Sequence, residues 1–230
     1  MNVDITASAI ASMTVPGADP AMNVHRIRYA LRRGLGALAL AALVAGCAAL
    51  QAPQRDSPTL HVLSAEPLNK ATQVRHAAIE VAPPRAWPGF DTPQMAYVRQ
   101  PYELDYFATH RWADTPSRML GPLLVRALEQ TESFRSVVQV SNAVPADWRI
   151  DTEIVRLQQD FTTQPSRVEF TLRAQLTDVR GRLVVASSVF DEVEIAPSEN
   201  AAGGVIAANA ALQRMLVRVA DFCVAASSGR

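Results

Sequence analysis

Cys47 stands where residue type and spacing point to a defined covalent chemistry. It ends the run Leu43-Val44-Ala45-Gly46-Cys47, which follows a short apolar stretch. Ala45 and Gly46 are small, as a signal peptidase requires close to its cleavage point. A thiol readily forms the thioether bond that joins a diacylglycerol to a protein. The pattern predicts a lipobox, in which Cys47 becomes the mature N-terminus and carries acyl chains such as palmitate.

The segment before Cys47 has the order of a bacterial signal peptide. A positive stretch comes first, and an apolar stretch of eleven residues, Leu35–Ala45, follows it. The positive residues are Arg26, Arg28, Arg32 and Arg33. Eleven residues are too few to span a membrane, which needs about 20. Two alternatives are an ordinary secretory signal with a chance cysteine and a helix of the fold.

The chain divides into three parts on this interpretation. Residues 1–46 form the signal peptide, and we expect translation to begin at Met22 because residues 1–21 fit a signal badly. Residues 47–58 are polar, contain two prolines and predict a flexible tether. Residues 59–230 form one domain, since a mature chain of this length is enough for a single hydrophobic core.

The rest of the sequence offers little chemistry. It contains no glycine-rich phosphate loop, no C-x-x-C pair, no H-E-x-x-H motif and no G-x-S-x-G elbow. His110 with Asp105 and Asp114 could be drawn as a metal cluster, but their spacing matches no ligand signature. A surface histidine near a helix start is the commoner case. We therefore predict no catalytic residue, no metal and no cofactor.

Charge and cysteine content exclude two further classes of protein. The net charge is zero over all 230 residues, and no basic patch indicates a nucleic-acid partner. The chain has two cysteines. With Cys47 acylated, Cys223 has no intramolecular partner, so a disulfide framework is excluded. We expect Cys223 to be a small buried side chain in a helix.

Aromatic side chains are dense in one part of the chain. Seven fall within 26 residues: Trp87, Phe90, Tyr97, Tyr102, Tyr106, Phe107 and Trp112. Exposed aromatic residues mark interfaces, whereas buried ones belong to the core. The core is the favoured interpretation for Tyr97, Tyr106, Phe107 and Trp112. Trp87 and Phe90 lie in the proline-rich loop 83–93, and with Tyr102 they are our candidates for contact with a partner or with lipid.

Alternating apolar and polar residues predict strands. The pattern is clearest at Trp148–Ile154 and Val168–Leu176, followed by a turn at 178–181 and a returning strand Leu183–Val193 with a bulge near Ser187-Ser188. Shorter strands are predicted at Thr59–Leu63, Ala77–Val81, Met95–Arg99 and Glu103–Phe107, the last two paired with each other.

Two helices complete the prediction. The first has Asp114 as its N-cap and Pro116 in its first turn, and Gly121-Pro122 should either kink it or move its start later. The second is an amphipathic C-terminal helix from Val205 to Cys223. The expected fold is α+β: one domain with a mainly antiparallel sheet and two helices packed on it.

The chain resembles the ABC-type transport auxiliary lipoproteins, the group that includes the paraquat-inducible PqiC lipoproteins. The resemblance covers roughly residues 59–225. The matching stretches are LHVL at 60–63, IEVAP at 79–83, GFDTPQM at 89–95 and, most specifically, YELDYFATHRW at 102–112. The strand pair that follows and the alanine-rich last helix with Asn209 also fit the family. Gly121-Pro122 departs from the family's usual first helix.

The resemblance implies a non-catalytic subunit of a transport system. Its implied partners are the membrane, reached through the lipid anchor, and an MCE-domain protein with its ABC permease and ATPase. This chain has no Walker motif, so a partner would hydrolyse the ATP. Ala48 rather than aspartate follows Cys47, which by similarity to Gram-negative lipoproteins favours the periplasmic face of the outer membrane. Whether the chain forms a homo-oligomer is left open by the resemblance. The alternative function is a structural lipoprotein for envelope assembly or secretion.

Overall fold

The computed structural model describes residues 57–68, 77–139 and 145–228. The predicted signal peptide, Cys47 and residues 48–56 of the tether lie outside the described residues. The described residues form nine strands and two helices, and Asp56–Arg230 is one compact unit. This confirms the predicted α+β class with a single domain.

Three long strands build the antiparallel half of the sheet. They are β7 (Trp148–Asp160), β8 (Arg167–Asp178) and β9 (Leu183–Ile195). β8 lies between the other two and pairs with both along its whole length. These pairings are antiparallel, so short turns at each end suffice to connect the strands.

The opposite edge of β7 is covered by three short strands in succession. They are β2 (Ala78–Val81), β3 (Arg85–Ala86) and β4 (Gln94–Val98), and all three run parallel to β7. Residues 78–98 thus act as one strand interrupted twice. Pro83 and Pro84 fall in the first interruption, and Pro88 and Pro93 in the second. Proline has no N–H to donate to a ladder, so the chain must leave the sheet at such positions.

Three more strands extend the sheet. β5 (Asp105–Trp112) pairs antiparallel with β4, β1 (Thr59–His61) pairs parallel with β5, and β6 (Ser136–Gln139) pairs parallel with β2. β6 was absent from the sequence prediction. Its sequence, SVVQ, does not alternate between polar and apolar residues, so the pattern could not identify it.

The helices are α1 (Pro116–Gln130) and α2 (Ala201–Ala226). α1 contacts β2, β3, β6 and β7, whereas α2 contacts β7, β8 and β9, and the two helices touch each other. Between helices and sheet lies one hydrophobic core, with Ile150, Ile154, Phe170, Leu172 and Leu216 among its buried side chains. In β7 and β8, the residues that alternate with the buried ones point to the other face of the sheet and are largely charged.

The start of α1 differs from the prediction. Thr115 is the N-cap, with its hydroxyl accepting from the Arg118 N–H at 3.4 Å, whereas Asp114 accepts from the Thr115 N–H at 2.7 Å. The helix begins at Pro116 and continues through Pro122, so the later start is wrong. Gly121 has a packing reason: a Cβ there would lie 2.6 Å from the Gln139 side chain and 3.3 Å from Pro84.

Strand boundaries and one irregularity also differ. β7, β8 and β9 extend beyond the predicted spans, and β5 continues to Trp112 instead of ending at Phe107. The segment 83–93, which the prolines predicted to be a loop throughout, contains the short strand β3. The register shift in the β8–β9 pair lies at Val185, since Leu176 pairs with Ala186 and Thr177 with Val184. The bulge predicted at Ser187-Ser188 is therefore wrong by about two residues.

Replacing Leu172 tests which face of the sheet is buried. Leu172 is fully buried between Ile154 and Phe190 on the neighbouring strands. We expect Leu172→Asp to lower the free energy of unfolding by several kcal/mol, because it buries an unpaired carboxylate. The control is Thr177→Asp on the outer face of the same strand, opposite Arg149. Equal denaturant midpoints for the two variants would contradict this assignment of faces.

Candidate partner-contact groove

A groove of about 380 Å³ opens on the outer face of the sheet, away from the helices. It lies between the loop 87–92, which joins β3 to β4, and the turn 99–104, which joins β4 to β5. Its floor comes from β7 and β8. The lining residues are Phe90, Val98, Tyr102, Glu103, Leu104, Arg156, Gln158 and Glu169. Two of the three predicted contact residues, Phe90 and Tyr102, thus share one groove.

Hydrogen bonds fix the loop 87–92 at several points. The Trp87 N–H donates to the Ile154 carbonyl of β7 at 2.9 Å, which extends the short β3 ladder by one bond. The Trp87 carbonyl accepts from the N–H groups of Phe90 and Asp91, at 2.7 and 3.0 Å, and so closes a tight turn. The Ser117 hydroxyl of α1 donates to the Asp91 carboxylate at 3.2 Å. The loop is therefore held by the sheet and by the start of α1.

Gly89 lets this loop lie directly on the β4–β5 hairpin. A Cβ at position 89 would meet Leu104 Cδ2 at 2.9 Å, which is too close without movement of Leu104. The Tyr106 hydroxyl donates to the Gly89 carbonyl at 3.0 Å. Tyr106 therefore holds the loop 87–92 in place through this hydrogen bond, in addition to filling space.

The three predicted contact residues differ in exposure. Trp87 is 46% exposed and Tyr102 is fully exposed, whereas Phe90 is partly buried and packs against the hydrophobic core. Tyr102 has a backbone φ of 70°. A bulky residue in the left-handed region is a genuine conformational outlier, which costs free energy of the order of 1–3 kcal/mol. The hairpin turn thus presents this ring to solvent at some cost.

The other aromatic residues of the region are core or support. Trp112 is 4% exposed and belongs to the core, as predicted. The rings of Tyr97 and Phe107 pack in a tilted arrangement, with 4.7 Å between centroids, and Phe161 meets both of them edge-on. The Arg99 guanidinium lies 5.1 Å from the Tyr97 ring and 5.7 Å from the Phe161 ring. This cluster stiffens the hairpin that carries Tyr102.

Ion pairs line the floor of the groove. Arg156 pairs with Glu169 at 3.1 Å, and Gln158 donates to the same carboxylate at 3.4 Å. Nearby, Asp160 is buried, which alone would raise the pKa of its carboxyl, but hydrogen bonds from Thr162 and the charge of Arg167 leave that pKa below its usual value. Exposed pairs contribute little stability, so their main effect here is a polar, charge-balanced floor. The groove offers apolar contact at its rim and hydrogen bonding at its base.

Sequence reasoning missed this floor. Arg156, Gln158 and Glu169 occupy outer-face positions of β7 and β8. The alternation of β8 could have placed Glu169 there. In β7, however, a register shift at Val155 reverses the phase, so the alternation of 148–154 would have put Arg156 and Gln158 on the buried face. The sequence does not show that the loop 87–92 lies above these residues, because the position of the loop depends on the pairing of β3 with β7.

The histidine and cysteine predictions have clear outcomes. His110 does not meet Asp105 and Asp114 in a cluster; its Nδ1 lies 3.0 Å from Nε2 of His61, with the rings stacked. Burial and the neighbouring His110 lower the pKa of His61. Across residues 57–68, 77–139 and 145–228, no three His, Cys, Asp or Glu side chains come together as a metal site. Cys223 is free and buried as predicted, and burial raises the pKa of its thiol.

A sequence model of the ABC-type transport auxiliary lipoprotein component matches residues 59–220. The chain belongs to this family. The match covers all nine strands, α1, and α2 as far as Ala220, so the resemblance seen in the sequence is confirmed. It is a family of transport auxiliary lipoproteins and not a family of enzymes. No curated protein has a sequence that matches this chain significantly.

Solved structures share the fold. Protein XCC0632 from Xanthomonas campestris, a DUF330 protein, is similar with a TM-score of 0.66 and 20% identity, over 74% of this chain and 96% of that one. An uncharacterized protein is similar with a TM-score of 0.59 and 10% identity, over 73% of this chain and 99% of that one. At these identities the likeness concerns the fold alone. No helix among the described residues is both long and apolar enough to cross a membrane.

Single substitutions should separate the two aromatic residues of the loop. We expect Phe90→Ala to lower stability by about 2 kcal/mol, because the ring packs against the core. For a domain of this size that corresponds to a Tm decrease of roughly 4–8 °C. Trp87→Ala should leave the Tm within about 2 °C, because half of its ring is already in water. A Tm decrease for Trp87→Ala as large as that for Phe90→Ala would mean that Trp87 is a structural residue.

Proposed function

We propose that this protein is a non-catalytic subunit of an ABC transport system, anchored by acyl chains on Cys47 to the periplasmic face of the outer membrane. It docks the periplasmic part of the system, an MCE-domain protein joined to an ABC permease and ATPase, at that membrane. The cargo would be lipid or another hydrophobic compound. Family membership and the lipobox support this proposal, and the loop 87–92 supplies a surface suited to docking.

The exposed ring of Trp87 is the observation that carries the docking role. Tryptophan is enriched among the residues that dominate binding energy at protein interfaces. The Trp87 backbone is fixed by its bonds to Ile154, Phe90 and Asp91. A pre-ordered loop loses little conformational entropy on binding, so more of the contact free energy becomes affinity.

The surroundings of Trp87 suit a protein partner. The adjacent groove combines the partly buried ring of Phe90 with the exposed Leu104, and its base carries paired charges. An apolar centre with a polar surround is the usual anatomy of a specific interface. A partner side chain could enter the groove beside Phe90 while its neighbours cover Trp87.

Site-specific photocrosslinking tests the docking surface. A photoreactive phenylalanine analogue at position 87 should form an adduct with the MCE-domain protein in intact envelopes. The matched control is the same analogue at Ile206, which is also exposed (60%) but lies on α2. Trp87→Ala should weaken binding by about 2 kcal/mol or more, which is roughly a 30-fold loss of affinity.

The outcomes separate the candidate functions. An adduct at position 87 with the MCE-domain protein supports the transport role. An adduct only with envelope-assembly or secretion proteins would favour the structural alternative. Equal adducts at positions 87 and 206 would show that the loop has no special role in docking.

Substitution of the anchor residue tests the other half of the proposal. Cys47→Ala should yield a precursor that is neither acylated nor cleaved, because the peptidase acts on the acylated cysteine. The measurement is incorporation of labelled palmitate, followed by the intact mass of the product. Normal labelling of the Cys47→Ala variant would contradict the assignment of Cys47.

A further inference from the structure

Three chain connections meet at one end of the sheet. Val98 at the end of β4 lies opposite Asp160 at the end of β7, and Asp160 lies opposite Arg167 at the start of β8. Arg167 in turn lies opposite Ile195, at the end of β9. The connections 99–104, 161–166 and 196–200 therefore share this end, which we call the hairpin end. The turn 179–182 and the starts of β2 and β7 lie at the far end.

The N-terminal end of β1, to which the predicted tether is joined, points toward the hairpin end. β1 runs parallel to β5 and therefore opposite to β7, so Thr59 lies on the hairpin-end side of His61. Thr59 lies opposite His110, next to the pair Arg111–Gln94. The register of β4 on β7 puts this level about 10–13 Å from the hairpin end and about 30 Å from the far end, at 3.3 Å per residue.

The entry point is fastened to the domain. After β1, the segment Val62–Leu68 runs along α2 and is held by side-chain amides. Asn209 accepts from the Ser64 N–H at 3.0 Å and donates to the Val62 carbonyl at 3.4 Å. Gln213, one helical turn later, accepts from the Glu66 N–H at 2.7 Å and donates to the Glu66 carbonyl at 3.3 Å. Two residues of extended chain advance about as far as one helical turn, which explains the repeat.

Tether length then selects which end faces the membrane. Eleven residues, 48–58, separate Cys47 from Thr59. A flexible chain of this length has a root-mean-square extension of about 18 Å and a limit of roughly 40 Å. This comfortably covers the 10–13 Å to the hairpin end. To turn the far end toward the membrane, the tether would have to run back about 30 Å beside the domain, which leaves little length to spare.

The two ends also differ in charge. The three connections of the hairpin end comprise seventeen residues and three charged side chains: Arg99, Glu103 and Glu199. At the far end, the described connections 131–135, 145–147 and 179–182 comprise twelve residues and five charged side chains. Tyr102 stands fully exposed at the tip of the hairpin end. A tyrosine ring has an apolar body and a polar hydroxyl, a combination enriched at the membrane–water interface.

We infer that the hairpin end rests on the lipid surface and that Tyr102 enters its headgroup region. The inference rests on the proposed acylation of Cys47. Tyr102, whose backbone φ is 70°, lies fully exposed in the turn at the end of the sheet toward which the N-terminus of β1 points. Trp87, on the neighbouring loop, is left for the protein partner. The occupant of the hairpin tip is thus lipid, whereas that of the loop is protein.

Spin labels on the acylated mature chain test this orientation. Tyr102→Cys and Arg180→Cys each carry a nitroxide, and Arg180 is the control because its side chain is 82% exposed in a far-end turn. Cys223 is buried and should stay unlabelled, and labelling of the unsubstituted chain is the control for this. The protein is reconstituted in phosphatidylethanolamine–phosphatidylglycerol vesicles. On anchoring, accessibility to oxygen should rise and accessibility to a water-soluble nickel chelate should fall at least threefold at position 102, with no change at position 180.

Each outcome has one meaning. If both labels stay equally open to the nickel chelate on chains whose mass shows acylation, the domain stands away from the bilayer and the inference is wrong, while the proposed anchoring survives. Protection at position 102 only after the MCE-domain protein is added would assign the tip to a protein. If the mass of the recovered chain shows no acyl groups, both the proposed anchor and this inference are wrong.

Discussion

Strand β7 must satisfy hydrogen bonds along both of its edges over thirteen residues, and this requirement organises the domain. One edge is satisfied by β8 in a single long antiparallel pairing. The other is satisfied in pieces by β2, β3 and β4, which belong to one stretch of chain interrupted by prolines. Burial of one face of β7 and β8 under the helices supplies most of the hydrophobic stabilisation. The register of β7 therefore fixes the position of nearly every other element.

The candidate docking loop is a consequence of this interrupted pairing. Between β3 and β4 the chain cannot continue the ladder, because Pro88 and Pro93 lack the N–H groups that it requires. It leaves the sheet, closes a turn on the Trp87 carbonyl and returns to β7 at β4. A structural necessity of the sheet thus places an aromatic loop above the ion-paired face. Loops that are held by a rigid scaffold commonly carry binding function.

The same register orients the domain with respect to its predicted anchor. β1 is only three residues long, yet it sets the direction from which the tether arrives. The amide clamps of Asn209 and Gln213 extend that attachment along α2 without adding a strand. Loop and hairpin tip lie on neighbouring surfaces, so one rigid body can face lipid with one and a protein partner with the other.

Local pattern in the sequence was enough for the elements with many repeats. The alternation in 148–154 and 168–176 identified β7 and β8, and the 3.6-residue period identified α2, because burial of one face imposes these periods directly. The lipobox prediction likewise needs no fold, since a peptidase would read such a pattern as a linear signal. Pairing of β4 with β5 followed from two short apolar runs around a proline.

The sequence alone did not reveal the elements that exist through long-range pairing. β3 has only two residues and the sequence of β6, SVVQ, does not alternate, so neither shows a strand pattern. Each is a strand because β7 or β2 supplies its hydrogen bonds. The N-cap of α1 is Thr115 and not the predicted Asp114, because the Asp114 carboxylate accepts a hydrogen bond from the Thr115 N–H. Trp87, Phe90 and Tyr102 could be named from composition. Only the tertiary structure decided that Phe90 packs on the core, that Trp87 is half exposed and that Tyr102 is fully exposed at the hairpin end, because each of these depends on contacts between residues far apart in the chain.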